Sequence, residues 1–125
     1  MAKADAHLPQ QVPIDGYGRG GFHFAGMASA GSILALPSGI HAWGPRATAE
    51  IDAAALRPVL EQAGAVQLLL IGTGLDPWAI PDALRWHLRD VGISVDAMPT
   101  RAAASTYNVL LAEGRPVAAA LLALP

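Results

Sequence analysis

The sequence predicts a single α/β domain in which helices cover a β-sheet. In the Gly-rich first half, short apolar stretches are typical of strands joined by tight turns, whereas in the second half apolar runs alternate with segments of helical periodicity. Of the 125 residues, 53% are hydrophobic and 14% are charged, so the chain has ample material for one core. We therefore expect one domain over residues 13–125, preceded by a flexible segment, residues 1–12, that shows no periodicity.

The first half of the chain predicts short strands. Its apolar stretches are bounded by glycines, which are favoured where a strand ends in a tight turn. Gly39, which follows Pro37 and Ser38, marks one of these turns. The four predicted strands lie at residues 14–17, 21–24, 32–36 and 40–43.

The second half predicts helices alternating with strands. A first helix is expected over residues 52–63 with Asp52 as its N-cap, but Pro58 would remove a backbone hydrogen bond inside it, so a broken or shorter helix is the alternative. The continuous apolar run Val66–Ile71 is typical of a central strand covered on both faces. The later elements are a helix from Pro81 to Gly92, a strand at 93–97, a helix at 101–113 capped by Thr100, and a strand at 117–124.

The composition argues against several classes of function. The net charge is −2 and no run of Lys or Arg could neutralise a row of phosphates, so nucleic acid is not an expected partner. Because the chain has no Cys, it has neither disulfides nor Cys-ligated metal sites, which agrees with a reducing compartment. The N-terminus lacks the apolar core of a signal peptide, and every apolar run is far shorter than the roughly 18 residues needed to span a bilayer. We expect a soluble, cytoplasmic protein that does not insert into a membrane.

Two glycine motifs resemble phosphate-binding sequences. Gly16, Gly18 and Gly21 satisfy G-x-G-x-x-G, but a strand-like segment follows them where a nucleotide site needs a helix, so we interpret them as turn glycines. The segment Gly72–Gly74 has a better context, since it follows a strand and precedes a helix, although Pro77 occupies the place of the third glycine.

A candidate ligand site combines this second motif with the start of the last helix. If the strands that end near Ile71 and Ala97 are neighbours, the loops that follow them converge, and free backbone N–H groups at the helix N-terminus face flexible glycines. The alternative for Arg101 is a solvated surface position. The candidate residues for a small anion are Gly72, Thr73, Gly74, Thr100 and Arg101.

Trp86 is the candidate partner-binding residue. The spacing of Ile80, Leu84, Leu88 and Val91 predicts the buried side of its helix, and Trp86 lies on the opposite side. It either belongs to a partner surface or is covered by the stems of Arg85 or Arg89 or by the first half of the chain. The four histidines are scattered without metal-ligand spacing and no nucleophile motif is present, so we predict no metal, no cofactor and no catalytic residue.

Three segments, IDGYGRGGFHFAG, LLLIGTG and MPTRAAASTYNVLLAEGRPVAAALL, together resemble the small-domain family that includes mitochondrial complex I assembly factor 3. The similarity covers residues 13–124. It implies a three-layer α/β fold, with a mixed central sheet containing one antiparallel strand and an additional β layer from the Gly-rich strands. Mitochondrial members act with partner proteins in complex I assembly, while bacterial and archaeal members have no established activity. No catalytic residue carries over.

The sequence departs from the family pattern at residues 104 and 105. Ala104 and Ser105 stand where many relatives have Cys and Arg before a Thr-Tyr-Asn triplet, which argues against an essential thiol or cation at these positions. We expect Thr106, Tyr107 and Asn108 to be structural, with Tyr107 packed inward and the polar pair bonded to backbone groups.

The sequence as a whole predicts a non-catalytic, assembly-factor-like interaction protein with a protein partner. The alternative is a binder of a small anionic ligand or nucleotide, or an enzyme acting on one.

Overall fold

A computed structural model describes residues 7–125, which form nine strands and three α-helices. The strands are β1 (His7–Leu8), β2 (Gly16–Gly18), β3 (Gly21–Phe24), β4 (Met27–Ala30), β5 (Ser32–Leu36), β6 (Gly39–Trp43), β7 (Leu68–Gly72), β8 (Ser94–Met98) and β9 (Val117–Leu121). The helices are α1 (Arg57–Glu61), α2 (Asp82–Asp90) and α3 (Thr100–Ala112), and single 3₁₀ turns lie at Thr48–Glu50 and Ala63–Ala65.

The central sheet is mixed, with the strand order β1-β6-β5-β9-β7-β8. Strands β9, β7 and β8 are parallel neighbours, whereas β5 is antiparallel to both β9 and β6. Among the five strands of five residues each, β5 alone therefore runs against the others. This is the mixed sheet that the family resemblance implies.

A smaller antiparallel sheet, β2-β3-β4, forms the additional layer. It buries Phe22 and Phe24 against the face of the central sheet that also carries α3, in a cluster with Leu70 and Tyr107. Gly18 and Gly20 have positive φ angles of 126° and 77° in the hairpin that joins β2 to β3. A strand and not a helix follows the first glycine motif, as expected, and the turn interpretation is confirmed for Gly18. Gly16 and Gly21 instead belong to the paired strands β2 and β3.

Helices α1 and α2 cover the opposite face of the central sheet. There Val59 from α1 and Leu84 and Leu88 from α2 pack against Leu69 and Ile71 of β7. Since β7 is buried on both faces, its sequence is a continuous apolar run rather than an alternating one. The three layers predicted for this fold are thus α1 and α2, the central sheet, and α3 together with the small sheet.

The first helix is much shorter than residues 52–63. Helix α1 begins at Arg57 with Pro58 in its first turn, which is where proline fits, so the expected interruption is confirmed. The prediction that Asp52 is its N-cap was wrong, because Leu56 holds that position. Instead, Asp52 Oδ1 accepts a hydrogen bond from the Ala55 amide at 2.9 Å and closes a separate turn.

Strand β4 and residue Val91 also differ from what the sequence predicts. Strand β4 was not predicted, since its sequence Met-Ala-Ser-Ala lacks an apolar alternation and becomes a strand by pairing with β3. Val91 was expected in the buried stripe of α2 but is 44% exposed, because the helix ends at Asp90 and Gly92 turns the chain with a φ of 83°.

Helix α3 holds the chain before β2 in place. The Tyr107 hydroxyl donates to the Val12 carbonyl at 2.8 Å, Asn108 Oδ1 accepts from the Ile14 amide at 2.8 Å, and Asn108 Nδ2 donates to the Ile14 carbonyl at 2.7 Å. The structural role predicted for Tyr107 and Asn108 is confirmed, whereas the backbone partner predicted for Thr106 was wrong, because its hydroxyl contacts Met98 Sδ. The predicted flexible segment includes residues 1–6, which lie outside the described residues, and residues 7–12, which include β1 and Val12.

Candidate functional site

The carboxyl ends of β7 and β8 lie side by side. The two strands pair in parallel with Gly72 opposite Met98, and the Thr73 amide donates to the Met98 carbonyl at 2.9 Å. The loop after β7 and the N-terminus of α3 therefore start next to each other. The neighbouring strands that the ligand-site prediction needed are present.

At this corner the polar groups bind one another. Thr100 is fully buried, and its Oγ1 donates to the Leu122 carbonyl at 2.8 Å and accepts from the Gly74 amide at 2.9 Å. The Thr100 amide donates to the Gly74 carbonyl at 2.9 Å. Thr100 was predicted as the N-cap of α3, but Pro99 holds that position and Thr100 is the first helical residue. Its hydroxyl thus ties the β7 loop to the end of β9.

Gly72 is required by the close approach of α3. A Cβ at this position would lie 2.9 Å from Leu121 Cδ2, 3.0 Å from Thr100 Oγ1 and 3.1 Å from Thr100 Cα. Such distances are shorter than normal van der Waals contacts, so the space where a side chain would stand is already occupied by protein. Gly72 thus allows helix α3 to pack closely against the end of β7.

Arg101 and Arg46 lie against different parts of the structure. Arg101 lies toward the small sheet, with its Cζ 5.9 Å from the centroid of the Tyr17 ring. A cleft of about 290 Å³ borders the β7 loop at Thr73, Gly74 and Asp76, and the arginine that lines it is Arg46. Sequence reasoning missed Arg46, since it follows β6 in a loop and carries no local motif.

A second candidate surface lies on the outer side of α2. Trp86 is 58% exposed, which confirms the predicted outward direction, and the Arg89 Cζ lies 5.3 Å from the centroid of its ring. Arg85 and Arg89 line a cleft of about 260 Å³ beside β8. We call Arg85, Trp86 and Arg89 the α2 ridge. On its other side, an apolar cleft of about 310 Å³ is lined by Ile51, Asp52, Ala53, Pro81, Ala83, Leu84 and His87.

The described residues show few groups arranged for metal binding or for proton transfer. Within residues 7–125, no group of three or more His, Cys, Asp or Glu side chains is arranged to hold a metal ion. Burial raises the pKa of Tyr107 above its ordinary value, against a smaller opposing effect of Gln11, so this hydroxyl stays protonated as the donor to Val12. No helix in this part of the chain combines the length and apolar character needed to cross a bilayer.

The chain matches a known protein family over most of its length. A family described as "Protein of unknown function (DUF498/DUF598)" matches residues 14–122. The chain belongs to this family. The match covers both sheets from Gly16 onward and all three helices, including the corner between Gly72 and Thr100 and the α2 ridge.

Two known proteins are similar to nearly the whole of this chain. An uncharacterized protein of Rhodobacter capsulatus is 42% identical over 100% of this chain and 95% of its own length. Human NADH dehydrogenase (ubiquinone) 1 alpha subcomplex assembly factor 3 is 30% identical over 93% of this chain, which spans only 63% of that protein. The resemblance drawn from the sequence is confirmed.

A solved structure supports the same fold. The crystal structure of a protein from Bartonella henselae, described as an outer membrane protein, superposes with a TM-score of 0.91 and 44% sequence identity. The alignment covers 95% of this chain and 100% of that one.

Proposed function

We propose that the protein acts by binding a protein partner, as an assembly-factor-like interaction protein. The observation that carries the proposal is its similarity to the human complex I assembly factor over 93% of the chain. An assembly factor works through contacts with other proteins, so its relatives need an accessible contact surface more than a reactive centre. The partner of this chain is expected to be a protein that it holds during assembly of a larger complex.

The α2 ridge is the surface that fits this role best. Tryptophan and arginine are enriched among the residues that contribute most to protein–protein binding. Trp86 is 58% exposed, Arg89 lies over its ring, and a cleft on each side of the helix can receive partner side chains. Burying the indole in an interface would remove a large apolar area from water. The contact with Arg89 already restricts the orientation of the Trp86 ring before binding.

Replacing Trp86 by alanine is expected to weaken partner binding by about 30-fold, which corresponds to about 2 kcal/mol, because an interface would lose a central aromatic contact. The free energy of unfolding should change by less than about 0.5 kcal/mol, since the side chain is exposed. The partner is first isolated by affinity purification with the tagged protein, and its affinity for both proteins is then measured by calorimetry.

The matched control is Val109→Ala, which removes an exposed apolar side chain, 57% accessible, from α3. It should leave partner affinity unchanged. Equal affinity of the wild-type and Trp86→Ala proteins would reject the ridge as the contact surface. A loss of several kcal/mol in stability would instead show that Trp86 belongs to the core.

A small anion is the second candidate, favoured by the cleft that places Arg46 beside Thr73 and Gly74. The amides of Thr73, Gly74 and Thr100 already donate to protein carbonyl or hydroxyl oxygens, so the attraction would come mainly from the arginines. Binding at such an exposed site is expected to be weak and sensitive to salt.

Titration with inorganic phosphate, nucleotides and small carboxylates tests this candidate. A bound anion should shift the amide resonances of Gly72, Gly74 and Arg101, and Arg46→Ala should raise the dissociation constant by about tenfold, as expected for the loss of one charge-assisted hydrogen bond. Arg101→Ala is the parallel variant for the residue selected from the sequence. Shifts elsewhere, or binding that neither substitution changes, would reject the site.

A further inference from the structure

The open edge of the central sheet lies directly beneath the α2 ridge. Within residues 7–125, strand β8 is last in the strand order and has β7 as its one neighbouring strand. The Ser94 amide donates to the Gln67 carbonyl, and the Met98 carbonyl accepts from the Thr73 amide, so the backbone groups of Ser94 and Met98 face β7. Because these directions alternate along a parallel strand, the N–H and C=O groups of Val95 and Ala97 face outward.

The Arg85 guanidinium already contacts this edge. Its Nη1 lies 3.5 Å from the Val95 carbonyl oxygen, a long hydrogen bond at an exposed position. The bond agrees with the outward direction of Val95 and places a positive charge beside the outward-facing backbone. Arg89 lines the same cleft, together with Ile93 and Ser94.

The two faces of β8 differ in charge. Val95 and Ala97 pack toward the core that α2 covers, so a side chain on that face of an added strand would lie near Arg85 and Arg89. Asp96 is exposed and alternates with them, so it points to the other face of the sheet. A strand added beside β8 would therefore meet positive charge on one face and negative charge on the other.

We propose that the edge of β8 binds an extended segment of a protein partner by strand addition, and that this segment carries acidic side chains on the face beneath Arg85 and Arg89. Main-chain hydrogen bonds to Val95 and Ala97 supply the pairing, while the alternation of charge selects the register. Residues of the segment that face Asp96 are basic or neutral. The inference rests on the proposed protein-binding function and names the chemistry of the partner at that surface.

A second copy of this chain is a poor occupant of the same edge. Antiparallel pairing of two β8 strands through Val95 and Ala97 would place Asp96 directly opposite the Asp96 of the other copy. It would also bring Arg85 and Arg89 of both copies to one face of the joined sheet. Like charges in directly opposed positions disfavour pairing, so the edge resists self-association but accepts a complementary strand.

The test uses a capped nine-residue peptide, Thr-Glu-Thr-Glu-Lys-Glu-Thr-Glu-Thr, and amide hydrogen exchange measured by NMR. At a peptide concentration about ten times its dissociation constant, exchange at Val95 and Ala97 should slow by about tenfold, because the free edge is then a minor species. Exchange at Ser94 should not change, since its amide already donates to Gln67. A peptide with lysine and glutamate exchanged, and one with N-methylated central amides, should not bind.

Two protein variants separate charge from backbone pairing. Arg85→Glu with Arg89→Glu should raise the dissociation constant of the peptide by at least about tenfold, whereas the control pair Arg57→Glu with Arg115→Glu changes net charge equally and should have little effect. Ala97→Pro removes an outward N–H and should abolish protection at Val95. If that variant does not fold, the N-methylated peptide still tests the pairing.

Several outcomes would overturn strand addition. These are an absence of binding at millimolar peptide, equal binding of the charge-exchanged or N-methylated peptide, and shifts confined to the apolar cleft at Ala83 and His87. The isolated partner gives an independent result. If it binds the Arg85→Glu, Arg89→Glu variant with unchanged affinity but loses affinity for Trp86→Ala, strand addition fails and the protein-binding function stands.

Discussion

Thr100→Val is expected to lower the free energy of unfolding by about 2–4 kcal/mol, because two hydrogen-bonding groups lose their partner. Thr100 is 0% exposed, and its hydroxyl bonds the Leu122 carbonyl and the Gly74 amide. Valine has nearly the same shape but can satisfy neither group, so the loss measures the polar contacts rather than a cavity. Urea unfolding followed by circular dichroism gives the change by linear extrapolation.

Two control variants test whether the loss comes from the Thr100 hydroxyl. Thr100→Ser keeps the hydroxyl and removes one methyl group, so its loss should be about 1 kcal/mol. Thr106→Val removes a hydroxyl of the same helix whose contact is Met98 Sδ at 3.7 Å, and should change stability by less than about 0.5 kcal/mol. If Thr100→Val were as stable as the wild type, the corner would not be held by this side chain, and a ligand-binding role would gain support.

Gly72→Ala is expected to lower the free energy of unfolding by about 1–3 kcal/mol, because an added methyl group overfills a packed junction. The new Cβ would lie 2.9 Å from Leu121 Cδ2 and 3.1 Å from Thr100 Cα. Leu121 is fully buried and Thr100 Cα belongs to the backbone of α3, so neither can move without displacing its neighbours. Thermal and urea unfolding of the purified variant measure the loss.

Gly64→Ala is the matched control, since nothing lies within 4 Å of a Cβ added there. It should be neutral or stabilising by up to about 1 kcal/mol, because alanine restricts the unfolded chain. The effect of Gly72→Ala would also appear as shifted resonances at the start of α3. An unchanged stability would mean that the strand and helix separate easily, contrary to the packing described for this corner.

Local sequence signals predicted those elements whose ends are marked by turn residues. Strands β3 and β5 match their predicted residues, and Pro58 shortened the first helix as expected, because glycine and proline act through the backbone of their own segment. Strand β4 has no such signal. Its Met-Ala-Ser-Ala sequence adopts an extended backbone through hydrogen bonds to β3, which are contacts between segments.

The same distinction between local signals and contacts of distant segments applies to the candidate sites. The outward direction of Trp86 followed from helical periodicity, which depends only on the spacing of apolar residues along one segment. The use of the Thr100 hydroxyl could not be predicted in this way, since it binds Leu122, 22 residues further along the chain. The open edge of β8 and the position of Arg46 beside the β7 loop likewise depend on the strand order.

The α/β class, the family and the buried side of most elements can be predicted from the sequence, because they depend on periodicity, turn residues and motifs within short stretches. Which backbone groups at the candidate sites are already bonded, and which face outward, depends on how distant segments pack together. Each such group is satisfied by whichever segment lies next to it, and neighbours that are distant along the chain leave no local signal. The amides of Thr73, Gly74 and Thr100 are bonded to protein groups, whereas β8 lies at the edge of the described sheet with Val95 and Ala97 facing outward.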